Sequence, residues 1–106
     1  MNILLFSASL RAQSYNRQLI DYLSGLLNEE CHIDILAPEE FSFPLFNQDL
    51  ESNADVIAEV GKVYQRFNQA DGLIVASPEY NGHVSPYLKN TLDWVSRLQR
   101  IQNQRY

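Results

Sequence analysis

Two short apolar runs constrain this chain most. Ile3-Leu4-Leu5-Phe6 stands near the start, and Gly72-Leu73-Ile74-Val75-Ala76 stands well past the middle. Neither run alternates with polar residues. A strand of that kind is covered on both faces, as the central strands of a parallel sheet are. Between and after them the period changes. Leu19, Ile20, Leu23, Leu26 and Leu27 recur at helical offsets over Tyr15–Leu27, with Ser14 as a plausible cap. His32–Leu36 reads as a second, shorter strand, ended by Pro38. Asp55–Gln69 is again helical in pattern, at Val56, Ile57, Val60, Val63, Tyr64 and Phe67. A third helix starts at Pro86, which suits a first turn, with Ser85 as its cap and Leu88, Leu92, Val95 and Leu98 facing inward. The order is βαβαβα. That predicts an α/β fold, a parallel sheet with right-handed crossovers.

Two segments fall outside this pattern. Pro38–Leu50 is a long loop carrying Phe41, Phe43, Leu45 and Phe46, expected to pack on the body or on a partner chain. Gln99–Tyr106 is polar and reads as a linker. The 106 residues suffice for one domain, residues 1–106. With 45% hydrophobic and 20% charged residues, a single packed core is expected. The net charge of −5 argues against a general nucleic-acid binder, which needs a basic face. Cys31 is the only cysteine, so no internal disulfide can form. The start lacks the basic and longer apolar regions of a signal peptide. No apolar stretch approaches the ~20 residues of a membrane span. A cytoplasmic protein with no nucleic-acid or membrane partner is the expectation.

In open parallel sheets, ligands bind in the crevice beyond the carboxyl ends of the strands. Two loops are expected there. Residues 7–16, Ser-Ala-Ser-Leu-Arg-Ala-Gln-Ser-Tyr-Asn, join a buried strand to a helix start. Free backbone N–H groups and the helix dipole favour an anion there. Ser9, Ser14 and Asn16 can add neutral hydrogen bonds, and Arg11 a charge-assisted one. The bland alternative is a cap at Ser14 and a solvated Arg11, and the residues alone weigh the two evenly. The loop has no glycine and matches neither common nucleotide fingerprint. The second loop, residues 77–85, reads Ser-Pro-Glu-Tyr-Asn-Gly-His-Val-Ser. Its Pro and Asn-Gly demand turn geometry that presents backbone N–H and C=O groups outward. Such groups can read the polar edge of a flat ring, with Tyr80 beside it. Glu79 and His83 have no visible partner and read as solvated. Lys89, Asp93 and Arg97 read as an ion-pair ladder on the helix surface. Tyr87 and Trp94 read as packing or subunit-contact residues. No triad, paired carboxylates or metal cluster stands out, so no catalytic side chain and no metal ligand is assigned.

Taken together, the two loops resemble those of the NAD(P)H-dependent FMN reductase family of flavodoxin-like proteins. The family pattern Gly-Ser-x-Arg-x-x-Ser-x-Asn is met by Ala8-Ser9-Leu10-Arg11-Ala12-Gln13-Ser14-Tyr15-Asn16, with Ala8 in the glycine's place. Its second pattern is met by Pro78-Glu79-Tyr80-Asn81 and by Leu88-Lys89-Asn90-Thr91-Leu92-Asp93-Trp94. The resemblance runs from Met1 to about Arg97 and takes in Phe43–Asn47.

It implies FMN as cofactor and NADPH or NADH as co-substrate. Ser9, Arg11, Ser14 and Asn16 would hold the phosphate. Pro78, Glu79, Tyr80, Asn81 and Gly82 would line the ring, largely through backbone. The implied reaction is hydride transfer to the flavin and then to a small-molecule acceptor: free flavin, a quinone, an azo dye or an oxidised metal ion. A homodimer or homotetramer is the implied assembly. The resemblance also sets up two tensions. A Cβ at Ala8 is expected to crowd the tight turn and weaken phosphate binding. A flavodoxin-like sheet has five strands in the order 2-1-3-4-5, and this chain supplies three, so its third strand would be an uncovered apolar edge. The alternatives to an oxidoreductase are a flavin-binding module without catalysis and a shortened, inactive product that acts only through oligomerisation.

Overall fold

The computed structural model describes residues 1–9, 15–79 and 81–103, with side chains as far as Arg100. Three strands and three helices alternate: β1 (Asn2–Ser7), α1 (Tyr15–Leu27), β2 (His32–Leu36), α2 (Ala54–Gln69), β3 (Gly72–Ala76) and α3 (Pro86–Asn103). The sheet is parallel, in the order β2-β1-β3. β1 is central because it is apolar on both faces, and Leu4, Leu5 and Phe6 are all fully buried. Register follows directly, with Leu5 opposite Ile35 on one side and Ile74 on the other.

The pleat divides the core. Leu4 and Phe6 of β1, with Ala8 just past its end, join Leu36, Phe41, Val63, Leu88 and Val95 on the face covered by α2 and α3. Leu5 joins Ile20 and Ala76 on the opposite face, beneath α1. α2 and α3 share a further cluster of Val60, Trp94 and Leu98. Asn53 caps α2, its side chain accepting from Asp55 and Val56 N–H at 3.0 and 3.2 Å. Arg66 then straps α2 to β2, donating to both Asp34 carboxylate oxygens (3.0 and 2.7 Å) and to the Ile35 carbonyl.

The Pro38–Leu50 segment differs from a plain loop. It holds a 3-10 turn at Pro38–Glu40 and the start of another at Gln48–Ser52. Its aromatics turn inward onto this same chain: Phe41 is buried, and Phe46 meets the Trp94 ring edge-on at 4.9 Å. Trp94 Nε1 donates to the Pro44 carbonyl at 2.8 Å, so Trp94 is a packing residue within the chain. Only Leu45 of the four apolar positions stays outside, 82% exposed.

α3 also departs from expectation twice. It continues to Asn103, through most of the stretch expected to be linker. Leu92 is 39% exposed, while Thr91 is buried instead. On a 3.6-residue period, residues 88, 91, 94, 95 and 98 share one face, and Leu92 falls at its edge. The hydroxyl of Thr91 is satisfied by the Tyr87 carbonyl at 2.8 Å, so it is buried without penalty. The outer side of β3 is open, as expected: Leu73 and Ile74 are 44% and 37% exposed. Among the described residues, no helix is long and apolar enough to cross a membrane.

Tyr87 carries a testable consequence. Its ring lies 5.4 Å from Phe41 and 6.0 Å from Phe6, and its hydroxyl is buried without a partner. Burial pushes its pKa well above the ordinary value near 10, with Glu39 and Glu40 adding to the rise. The folded chain therefore holds this proton more tightly than the unfolded one. The stability that depends on it is complete below pH 10 and is lost as pH rises beyond it. Tyr87→Phe should flatten that alkaline loss in melts from pH 8 to 11. It should also be no less stable than wild type at pH 7, since an orphaned hydroxyl is removed.

Candidate functional site

The chain order and the strand order together locate the crevice. From β1 the chain crosses to β2 on one side, and from β2 it returns to β3 on the other. The loops after β1 and β3 therefore diverge side by side, at a topological switch point. They are joined before they diverge. Ala8 N–H donates to the Ala76 carbonyl at 2.8 Å. The Ser85 hydroxyl donates to the Ala8 carbonyl, also at 2.8 Å, and is buried. The same Ser85 Oγ accepts from the Leu88 N–H at 3.1 Å and so caps α3. One hydroxyl thus fixes the end of the first loop's strand to the start of the last helix.

The second loop closes on itself through a second serine. Ser77 Oγ accepts from the Ser85 N–H at 3.2 Å and donates to the Pro78 carbonyl at 3.1 Å. Within that closed loop, Asn81 and Gly82 have φ of 51° and 77°. Two consecutive left-handed residues reverse the chain tightly, and Asn-Gly is the pair that tolerates this best. Pro78 is half-buried at the base, and Glu79, Asn81, Gly82 and His83 are exposed. Tyr80 lies outside the described residues.

In the first loop, Ser9 is buried just past the end of β1, and Asn16 is half-buried in the first turn of α1. Arg11 and Ser14 lie outside the described residues. Ala8 stands where the family pattern has glycine. Its methyl is fully buried among Leu4, Phe6 and Leu36, on the sheet face opposite α1. It fills core space on that face.

The remaining positions of the second motif are structural. Asn90 Oδ1 accepts from the Phe46 N–H at 2.7 Å, and its Nδ2 donates to the Pro44 carbonyl at 3.0 Å. With Trp94 it moors the Phe43–Asn47 segment to α3. The expected ladder is only half present: Lys89 pairs with Asp93, but Arg97 turns away to Glu51 on the neighbouring 3-10 turn. Glu51 is the better-shielded partner, so the pair bridges two segments instead of one helix face. Among the described residues, no cluster of His, Cys, Asp or Glu could hold a metal ion. Sequence reasoning reads Ser85 as the α3 cap, which the Leu88 bond bears out, but not as the link to Ala8, and it gives Ser77 and Asn90 no bonding role, because a serine before a proline and an asparagine within a helix carry no local signature of long-range bonding.

The site is thus an anion-compatible helix start beside a rigid turn. The family profile described as NADPH-dependent FMN reductase matches residues 1–106. The chain belongs to the NADPH-dependent FMN reductase family. Among its relatives in this and neighbouring groups are a 2-hydroxy-1,4-benzoquinone reductase of a Burkholderia species, 37% identical, and an NADPH:quinone oxidoreductase of Arabidopsis thaliana, 38% identical. Each match covers 92% of this chain and respectively 51% and 50% of the relative. The flavoenzyme NAD(P)H:(acceptor) oxidoreductase FerB of Paracoccus denitrificans has a similar solved structure, with a TM-score of 0.72 at 27% identity, covering 88% of this chain and 49% of that one. The azoreductase AzrA shares the fold, with a TM-score of 0.73 at 18% identity over 90% of this chain and 55% of that one. The chain therefore spans about half the length of the FMN reductase relatives it matches.

The turn gives a direct test. Gly82→Ala places a Cβ at φ 77° and should cost about 1–2 kcal/mol in urea unfolding. Asn81→Gly should cost less than 1 kcal/mol, since glycine adopts the same φ freely.

Proposed function

We propose that this chain is the FMN-binding part of an NAD(P)H-dependent oxidoreductase that reduces a small-molecule acceptor such as a quinone. The observation that carries the reading is the pair of joined loops at the switch point, one at a helix start and one built on consecutive left-handed residues. The names of its quinone-reductase relatives support the acceptor class. The described residues suit the cofactor. The hydroxyl of Ser9 and the amide of Asn16 are neutral donors for a phosphate, and the exposed Asn81-Gly82 turn has no side chain at Gly82 to block a flat ring.

In this proposal Ser9, Arg11, Ser14 and Asn16 hold the phosphate, with Arg11 supplying the positive charge. Pro78, Glu79, Tyr80, Asn81 and Gly82 line the ring, and their backbone groups meet its polar edge. When bound, FMN supplies the redox chemistry, accepting a hydride from NADPH or NADH and passing the electrons on. The chain's residues bind and orient, and none is assigned as nucleophile or general base. Ser77 and Ser85 keep the two loops in fixed relation, so phosphate and ring are addressed together.

The protein is proposed to work in the cytoplasm and as a homodimer or homotetramer. The exposed Leu73 and Ile74 support self-association, because soluble chains rarely leave an uncharged apolar edge uncovered.

The purified chain should take up FMN and show a flavin absorbance spectrum after excess cofactor is removed on a sizing column. The coloured species should then oxidise NADPH or NADH when a quinone is added. A colourless chain would refute the reading for these 106 residues, and coloured but inert protein would reduce it to a flavin-binding module. Arg11→Ala should lower flavin content at least tenfold with the fold retained by circular dichroism. Unchanged flavin content would remove Arg11 from the phosphate site.

A further inference from the structure

Ser7, the last residue of β1, buries its hydroxyl completely and leaves it without a hydrogen-bond partner. An orphaned buried hydroxyl is costly and uncommon. Leaving such a cost in place is characteristic of functional sites. Its position is specific. Ser7 stands opposite Ala76 in the parallel register, and Ala76 packs with Leu5 and Ile20 beneath α1. The pleat therefore puts Ser7 on the α1 face, one step below Ser9, at the crevice end of the central strand. α1 returns antiparallel to β1. Since Ile20 meets Leu5, one turn back along the helix brings Asn16 level with Ser7.

We propose that Ser7 is a positioning residue for the cofactor phosphate. Its Oγ–H donates to Oδ1 of Asn16 in the loaded state, which turns the Asn16 Nδ2–H groups toward the phosphate oxygens. Ser7 touches no cofactor atom itself. Its buried, unpartnered hydroxyl is a donor that the loaded arrangement satisfies. This rests on the FMN reading above.

The test compares wild type, Ser7→Ala and Ser7→Thr as full chains. Each is titrated with FMN and with riboflavin, which lacks the phosphate, and each is melted without flavin. Ser7→Ala should weaken FMN binding at least fivefold and leave riboflavin binding unchanged. Its flavin-free melting temperature should be no lower than wild type, because the removed hydroxyl had no partner to lose. Ser7→Thr, which keeps the hydroxyl, should retain FMN binding. Equal weakening of both flavins, or unchanged FMN binding in Ser7→Ala, overturns the role. A wild-type chain that takes up no flavin overturns the cofactor reading and this role with it. Flavin bound alike by wild type and Ser7→Ala overturns the role alone.

Discussion

The structure depends on burying β1 from both sides. Leu4 and Phe6 face one layer of helices and Leu5 faces the other, and all three are fully buried. Each such side chain contributes roughly 1.5–3 kcal/mol relative to exposure. No flanking element could be removed without opening one side of that strand. The strand is central only because β2 and β3 pair on its two edges, so the reversal of chain direction across the sheet is fixed by the same residues. The crevice is a consequence of that reversal. The site's location is thus set by core packing before any polar residue is considered.

Polar residues then convert a location into a shape. Ser85 contributes two bonds from one atom, one to Ala8 and one to Leu88. Ser77 contributes two more within its own loop. None of these bonds is strong alone, since a typical net contribution is about 1 kcal/mol. Their value is geometric, because they leave the loops few alternative arrangements. Asn90 and Trp94 act similarly at a distance. They hold the Phe43–Asn47 segment on α3 and so keep the aromatic layer of Phe41, Phe43 and Tyr87 closed over Phe6.

The elements were readable because their signals are local. The unbroken apolar runs, the helical period over Tyr15–Leu27 and the Pro86 start match the observed bounds within a residue or two. The errors came from what is not local. Hydrophobicity points Leu92 inward, yet tertiary packing prefers Thr91, whose hydroxyl bonds to its own helix. Arg97 was paired with Asp93 by spacing, yet Glu51 is 46 residues away and better shielded. The polar stretch after Leu98 continues as helix because nothing in it breaks one: Gln99–Asn103 has neither glycine nor proline. In the site, the resemblance names the motif residues and the α3 cap at Ser85 is a local signal, whereas the bonds from Ser85 to Ser77 and Ala8 link positions whose pairing no single-sequence pattern announces.

The open edge of β3 bears on which half of the crevice this chain can form. Leu73 and Ile74 lie along that edge, and Leu92 lies at the margin of α3's buried face. A strand added beyond β3 would lie two strands away from β1. It would sit beside the loop after β3 and far from the loop after β1. The first loop, the proposed phosphate end, leaves β1, which is paired on both edges, and enters α1, which packs on the sheet through Ile20. The second loop, the proposed ring end, follows β3, whose outer side is open. In the proposed reading, phosphate binding would draw on elements that this chain supplies, and the surroundings of the ring would depend on whatever covers β3.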